Sequence, residues 1–258
     1  MSDSTKRFCA LVLAAAGAAL IGRRVLRADA PDVLDADQVR SIYDRLAPAY
    51  DAVAWIYDLA GAGGFHRRAV RALCLRPGDT AVDLACGTGV NLAHLVEAVG
   101  PTGRVVGVDL SPRMLARARR RAQRRGWRGV ELVCADVRDF AFPQPLHGVV
   151  STYGLEMVPD HDSVVARAVA ALAPGGRIAV GGLRHPDRWP DVLVRVAEWT
   201  NRPFGVSRAY EDVQPWHALF SHAQRERYDE FLLGAAYLAV ARTTGAFQGD
   251  EHSVAPAE

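Results

Sequence analysis

Between residues 80 and 181, short apolar runs alternate with longer stretches in which apolar residues recur every three or four positions. A short unbroken apolar run suits a strand buried on both faces, whereas the three-to-four spacing gives a helix one buried stripe. The pattern predicts strands over Thr80–Leu84, Arg104–Asp109, Val130–Cys134, 148–152 and 177–181, with helices over 91–99, from Ser111 onward, and over 162–172. Ser111-Pro112 reads as a helix start, a serine cap followed by a proline at the first helical position. Pro174-Gly175-Gly176 stops the last helix. Strands separated by helix-length segments imply βαβ units and a mainly parallel sheet. Further on, residues 230–233 and Ala236–Arg242 flank Gly234 and predict a final antiparallel hairpin. No repeat period of about 20 to 50 residues is present.

Upstream, Val39, Ile42, Leu46, Tyr50 and Val53 follow helical spacing, with a break expected near Pro48 and Asp37 as the expected cap. Earlier still, residues 8–22 are an apolar, alanine-rich run preceded by Lys6 and Arg7 and followed by Arg23, Arg24 and Arg27. As a helix this run spans roughly 22 Å at about 1.5 Å per residue, short of the roughly 30 Å of a bilayer core. Three readings stay open. The run can be an interfacial anchor with snorkelling arginines, or a helix that packs on the domain or on a second copy in a homodimer. It can also be a signal peptide, which residues 28–30 would suit as a cleavage site and which the arginines directly after the run oppose.

Composition narrows the function classes. Half of the 258 residues are hydrophobic and the net charge is +2, so no global field points to nucleic acid. Lys6 is the only lysine, and eight arginines fall between residues 113 and 128. Met114, Leu115, Ala118 and Ala122 form an inward stripe there, leaving the arginines on a solvated face; an anionic lipid surface is the alternative reading. Cys9, Cys74, Cys86 and Cys134 form no C-x-x-C pair and match no zinc template, which predicts no structural metal and a reducing compartment.

Candidate chemistry concentrates at strand ends. In Val82-Asp83-Leu84-Ala85-Cys86-Gly87-Thr88-Gly89 a strand runs into glycines and a helix begins. Glycines let the backbone approach a ligand, and the helix start offers free N–H groups. A dinucleotide fingerprint needs a third glycine three residues on, where this chain has Leu92. Asp109 ends the second strand, where a carboxylate can accept both hydroxyls of a ribose. Asp136 follows the third, where one can accept an adenine amino group.

The ordered set YDRLAPAYD, DLACGTG, VVGVDLSPRMLARAR, CADV, TYGLEMVPD and LAPGGRIAV, spread from about residue 43 to 242, resembles the class I methyltransferases that use S-adenosylmethionine (SAM). Within them it is most similar to the C-methyltransferases of ubiquinone and menaquinone biosynthesis and to phospholipid N-methyltransferases. The resemblance implies an α/β, Rossmann-like, mainly parallel seven-stranded sheet closed by the antiparallel hairpin. It also implies residues 31–78 as a helical cap over the cofactor, 79–245 as the SAM-binding core with a substrate lid near 186–224, and 246–258 as a loose tail. Asp83 would orient the methionine amino group. Gly87 and Gly89 would pass beneath the methionine part, with Ala85, Thr88 and Asn91 in the same turn. Asp109 would hold the ribose beside Leu110, Met114 would pack near the adenine, and Asp136 and Val137 would read it. Ser151 and Tyr153 would sit by the methionine part and the acceptor, and Tyr43 and Tyr50 in helices that close over the site.

The chain departs from the quinone enzymes at Glu156-Met157, where they carry Arg-Asn, at His147, where an acidic residue is usual, and at His185-Pro186 after the fifth strand. The implied reaction is methyl transfer to a small, lipophilic acceptor, with S-adenosylhomocysteine (SAH) as the other product. A soluble acceptor stays open, as does a SAM-fold protein that serves only as a binding module or as a scaffold for a rearrangement. Candidate proton acceptors are Tyr153, His66, His185 and His217. His222 shares the histidine chemistry. Trp189, Trp199, Phe204, Tyr210, Trp216 and Phe220 form either an acceptor wall or a local core. The expected place is the cytoplasm, with a peripheral membrane contact through the N-terminal segment.

Overall fold

A computed structural model describes residues 34–57, 64–186, 189–190, 194–195 and 213–244. The apolar run 8–22, Cys9, Trp199, Phe204 and Tyr210, most of the expected lid and the 246–258 tail lie outside them.

The described residues open with helix α1 (Ala36–Tyr57) and helix α2 (Phe65–Ala72), then alternate β1 (Thr80–Leu84), α3 (Val90–Val99), β2 (Arg104–Asp109), α4 (Pro112–Arg125), β3 (Val130–Cys134), β4 (Leu146–Thr152), α5 (His161–Ala171) and β5 (Leu172–Leu183). Helix α6 (Pro215–His222) precedes β6 (Gln224–Phe231) and β7 (Ala236–Arg242). The strands form one seven-stranded sheet in the order β3-β2-β1-β4-β5-β7-β6. The first five pair in parallel; β7 pairs antiparallel with both β5 and β6. The Rossmann-like architecture and its closing hairpin agree with the sequence expectation.

The unbroken apolar runs have a direct cause. Each central strand is covered twice, so alternate residues enter two separate cores. Val82, Leu84, Val106, Val108, Ile178 and Val180 meet α5 and α6 on one face. Ala81, Val105, Val150 and Ala179 meet α2 and α3 on the other. Full burial of each such valine, leucine or isoleucine side chain contributes about 1.5–3 kcal/mol.

Several boundaries differ from expectation. Asp37 does not cap α1. Asp35 does, accepting the Gln38 N–H at 2.8 Å while Gln38 Oε1 accepts the Asp35 N–H at 2.9 Å, a reciprocal capping box; Asp37 instead pairs with Arg40. Pro48 does not break α1, which continues to Tyr57 and is tied down by contacts on both sides of the proline. Strand β4 begins at Leu146, two residues before the expected start, because Leu146 pairs with Leu172 across an irregular register. Pro174-Gly175-Gly176 ends α5 but belongs to β5. Gly175 takes φ +81°, and Gly175 and Gly176 exchange backbone bonds with Thr243 at 3.0 and 2.9 Å. Strand β6 begins at Gln224, six residues before the expected 230. Its first residues, Gln224-Arg225-Glu226-Arg227, carry no hydrophobic alternation because they form an exposed edge, charged as edges must be to resist further pairing. Between β6 and β7, Leu232, Leu233 and Gly234 make a tight turn with positive φ.

Candidate functional site

The carboxyl ends of β1 and β2 hold the first part of the site. Beyond Leu84 the chain turns sharply, with positive φ at Ala85, Gly87 and Gly89. At Gly89 (φ +80°) a Cβ would also come within 2.8 Å of Leu92 Cδ1 and 3.2 Å of Ala118 Cβ, so this glycine lets α3 start against α4. Gly87 aims its N–H at Asp109 Oδ2 (2.7 Å), and the Ser111 N–H reaches Asp109 Oδ1 (2.8 Å). Burial pushes the Asp109 carboxyl up to about 6 despite these two donors. Asp83, wholly buried one strand over, accepts the Asn91 amide on Oδ1 at 2.9 Å, and burial together with the nearby Asp109 pushes it up to about 8. Its Oδ2 has no partner among the described residues. Burial raises the Cys86 thiol well above its ordinary range, which makes it an inert filler.

A second layer sits beneath the turn. Asn91 Nδ2 also donates to Thr152 Oγ1 (2.9 Å), and His66 Nδ1 lies 2.9 Å from Asn91 Oδ1 and 3.2 Å from Thr152 Oγ1. Ser151 donates its hydroxyl to the Leu84 carbonyl at 3.0 Å.

Helix α1 roofs the site through two carboxylates. Asp44 Oδ1 accepts the Ser111 hydroxyl at 2.5 Å and the Arg113 N–H at 3.2 Å. Asp51 accepts the Thr88 hydroxyl (2.6 Å), Arg121 (3.0 Å) and Arg117 (3.1 Å). Burial opposes ionisation of Asp51, but the Thr88 bond and the two guanidinium groups outweigh it and hold the carboxyl below its ordinary range. Two of the eight clustered arginines therefore clasp the roof, whereas Arg113, Arg119, Arg120, Arg124, Arg125 and Arg128 are exposed, as the helical stripe predicts.

Between roof and sheet lies a pocket of about 440 Å³. Of the expected cofactor residues, Tyr50, Ala85, Gly87, Asp109, Leu110, Met114, Asp136, Val137 and Tyr153 line it, as does Tyr43. Asp83, Thr88, Gly89, Asn91 and Ser151 lie beneath or beside it, supporting the turn. Asp136 receives Arg138 through side-chain bonds of 2.7–3.1 Å, which hold its carboxyl below the ordinary range. Tyr153 stands at φ +58° after β4, its ring 5.9 Å from that of His66 and 5.2 Å from Phe65. His66, His185 and His217 do not line the pocket: His66 belongs to the Asn91 layer, His185 follows β5, and His217 is exposed on α6. His222 faces Asp162 at 3.2 Å. His147 accepts the Thr80 N–H at 3.0 Å on the far end of the sheet. Trp216 packs into the core against Tyr237.

Sequence reasoning missed the pocket wall made by Leu34, Asp35, Ala36, Val39 and Arg40, and the shelf made by Gly154, Met157, Val158 and Pro159. Val39, Tyr43 and Tyr50 share one side of α1, and this spacing was the available signal. Nothing local to the 154–159 stretch marks it as a wall. Among the described residues no cluster of potential ligands could hold a metal ion, and no helix is long and apolar enough to cross a membrane.

Known proteins are similar to this chain across the region that builds the sheet and the pocket. A methyltransferase-domain family matches residues 81–176. The 2-phytyl-1,4-naphthoquinone methyltransferase of Thermosynechococcus vestitus is 32% identical over 189 residues, covering 69% of this chain and 81% of that protein. The nocamycin O-methyltransferase of Saccharothrix syringae is 33% identical over 177 residues, covering 67% of this chain and 61% of that one. A methyltransferase solved with the Haloferax volcanii Trm112 activator superposes with a TM-score of 0.63 at 18% identity, covering 81% of this chain and 99% of that one, a likeness of fold. The chain belongs to the class I SAM-dependent methyltransferases, and it is an enzyme of methyl transfer whose cofactor is SAM. Within that class its similarity is to the quinone-biosynthesis methyltransferases.

Proposed function

We propose that the pocket under α1 holds SAM and that its 154–159 shelf receives a small, lipophilic acceptor. The observation that carries this reading is the continuity of the pocket from Asp109 to an apolar wall of Met157, Val158 and Pro159, with Leu34 and Val39 opposite. The polar end fits the cofactor. Asp109 is fixed by two backbone donors and lines the pocket, so its remaining lone pairs suit a pair of ribose hydroxyls. The unpartnered Asp83 Oδ2, wholly buried beneath the pocket, suits the methionine amino group through a bridging water, the approaching ammonium favouring the ionised carboxylate. Asp136, kept ionised by Arg138, is an acceptor for an adenine amino group, with Met114 and Val137 as apolar walls for the ring.

SAM supplies a sulfonium methyl with its own leaving group. What remains for the chain is alignment and exclusion of water. Tyr153 and Gly154 bring the β4 end up to the transfer point, and α1, clasped by Asp44 and Asp51, closes the site to solvent. Positioning of this kind supplies about 7–11 kcal/mol of a barrier. The N-terminal run with its basic flanks would bring the enzyme to membrane surfaces where such acceptors reside.

The test incubates the full chain with methyl-labelled SAM and a cell extract, then partitions the products. Label in the organic phase, in a molecule of low mass, is the expected result. Label confined to water-soluble metabolites would overturn the lipophilic acceptor and leave methyl transfer intact. For the membrane contact, the full chain should float with anionic liposomes and a version beginning at Pro31 should not; failure of the full chain to float sinks that part.

A further inference from the structure

One enclosed carboxyl takes no part in the cofactor arrangement. Glu156 sits in a one-turn 3-10 helix, Leu155–Met157, between Gly154 and Met157, which both line the pocket. The residue as a whole is half-buried. Its carboxyl rests on β5 at Gly182, where any side chain would occupy the same space. Across the β5–β7 ladder Gly182 pairs with Tyr237, a wholly buried residue that donates its hydroxyl to Glu156 Oε1 at 3.1 Å. The Tyr237 ring is held in turn, 4.5 Å from Trp216 of α6 and stacked 6.3 Å from Tyr228 of β6.

Charges on the surrounding elements are already paired with one another. Arg184, just past β5, pairs with Glu230 of β6 and reaches the Tyr228 hydroxyl at 3.4 Å. On α6, His217 is exposed. Among the described residues the Glu156 carboxyl has only the Tyr237 hydroxyl and its own amide as polar partners, and burial pushes it up to about 7. A glutamine would keep the shape and the tyrosine bond without the desolvation cost of a carboxylate. An enclosed acid that meets no cation among the described residues, in a turn whose flanking residues Gly154 and Met157 line the pocket, suits a group that must exchange a proton near neutral pH.

We infer that Glu156 is the proton acceptor of the methyl-transfer reaction, taking the proton from an O–H or acidic C–H of the acceptor, with Tyr237 as the positioning residue that holds its carboxyl. This rests on the pocket reading above. As the acceptor's oxygen or carbon forms its bond to the methyl carbon, the S–CH3 bond breaks, its electron pair stays on sulfur to give SAH, and the proton passes to Glu156. The protonated Glu156 returns that proton to solvent after release. The acceptor class is therefore a phenol, an enol or an activated ring carbon. A neutral amine acceptor would need no such base.

The test uses the full chain, methyl-labelled SAM and three acidic probes: 1,4-naphthohydroquinone, catechol and acetylacetone. Calorimetry with SAH runs in parallel. At least one probe should be methylated, with an acid limb near pH 7 in kcat. Glu156→Gln should lower kcat by about 10²–10⁴-fold and abolish the limb, leaving SAH affinity unchanged. Glu156→Asp should recover part of the rate. Tyr237→Phe should retain activity with the limb moved upward, because loss of the donated bond disfavours the carboxylate. A Glu156→Gln enzyme within a few-fold of wild type with the same limb would overturn the inference, as would rejection of all three probes by an enzyme that binds SAH. If Glu156→Gln does not fold, an unmoved limb in Tyr237→Phe overturns it. A wild type that binds no SAH instead overturns the pocket reading, and this inference with it.

Discussion

Replacing Asp109 with alanine separates two consequences that usually travel together. The carboxylate holds the Gly87 and Ser111 N–H groups at 2.7 and 2.8 Å and lines the pocket. On the proposed reading of the pocket, removing it deletes the acceptor for the ribose hydroxyls. Hydrogen bonds to a charged group contribute about 1.5–3 kcal/mol, so SAH should bind about 10- to 150-fold more weakly. Stability should not fall in step. Burial raises Asp109 to about 6, so at pH 7 the folded protein carries a carboxylate that its surroundings disfavour. Alanine removes that cost, and the two freed N–H groups open onto the pocket, where water can reach them. Calorimetry with SAH and a thermal melt of the same samples make the comparison. Wild-type affinity should also weaken as pH falls from about 7 to 5 and Asp109 takes up its proton, while the variant stays flat. An SAH affinity within about threefold of wild type would refute the ribose assignment. A collapse in melting temperature would refute the claim that the carboxylate serves binding at the expense of stability.

Asp83 gives a pH prediction of known sign. Its folded value, raised to about 8, lies far above the ordinary 3.8, so the folded state holds a proton that the unfolded chain releases. That contribution is complete below about pH 4 and is lost as pH rises to about 8. Urea titrations across this range should show stability falling with pH in the wild type and a flatter profile in Asp83→Asn; equal slopes would contradict it. Gly89→Ala puts a Cβ into the left-handed region and within 2.8 Å of Leu92 Cδ1. It should cost about 1–3 kcal/mol in a denaturation measurement, and a neutral result would mean that α3 and α4 can shift apart.

Sequence by itself carried much of this protein. The edge strand β3 is where expected, although it is only partly buried. Strands β1, β2 and β7 stand at their expected residues because strands covered on both faces must be almost wholly apolar, and that pattern is local. The Ser111-Pro112 helix start holds for the same reason: the Ser111 hydroxyl accepts the Met114 N–H at 3.0 Å, a bond spanning three residues. Asp109 and the glycine turn were legible because a βα turn brings a strand end and the following helix together within a few residues. The rest needed tertiary structure. The edge strand β6 has no buried face to leave a hydrophobic signature. Pro174-Gly175 joins β5 only because Thr243, almost 70 residues away in the chain, supplies its hydrogen bonds. Helix α1 survives Pro48 because Asp44 and Asp51 are fastened to α4 and the glycine turn. Glu156 shows the limit most clearly. Its sequence neighbours mark it as a departure, but its enclosure depends on Gly182 and on Tyr237, brought together by the pairing of β5 with β7. A side chain's burial and partners are set by segments distant in the chain, and only the folded sheet brings those segments into contact.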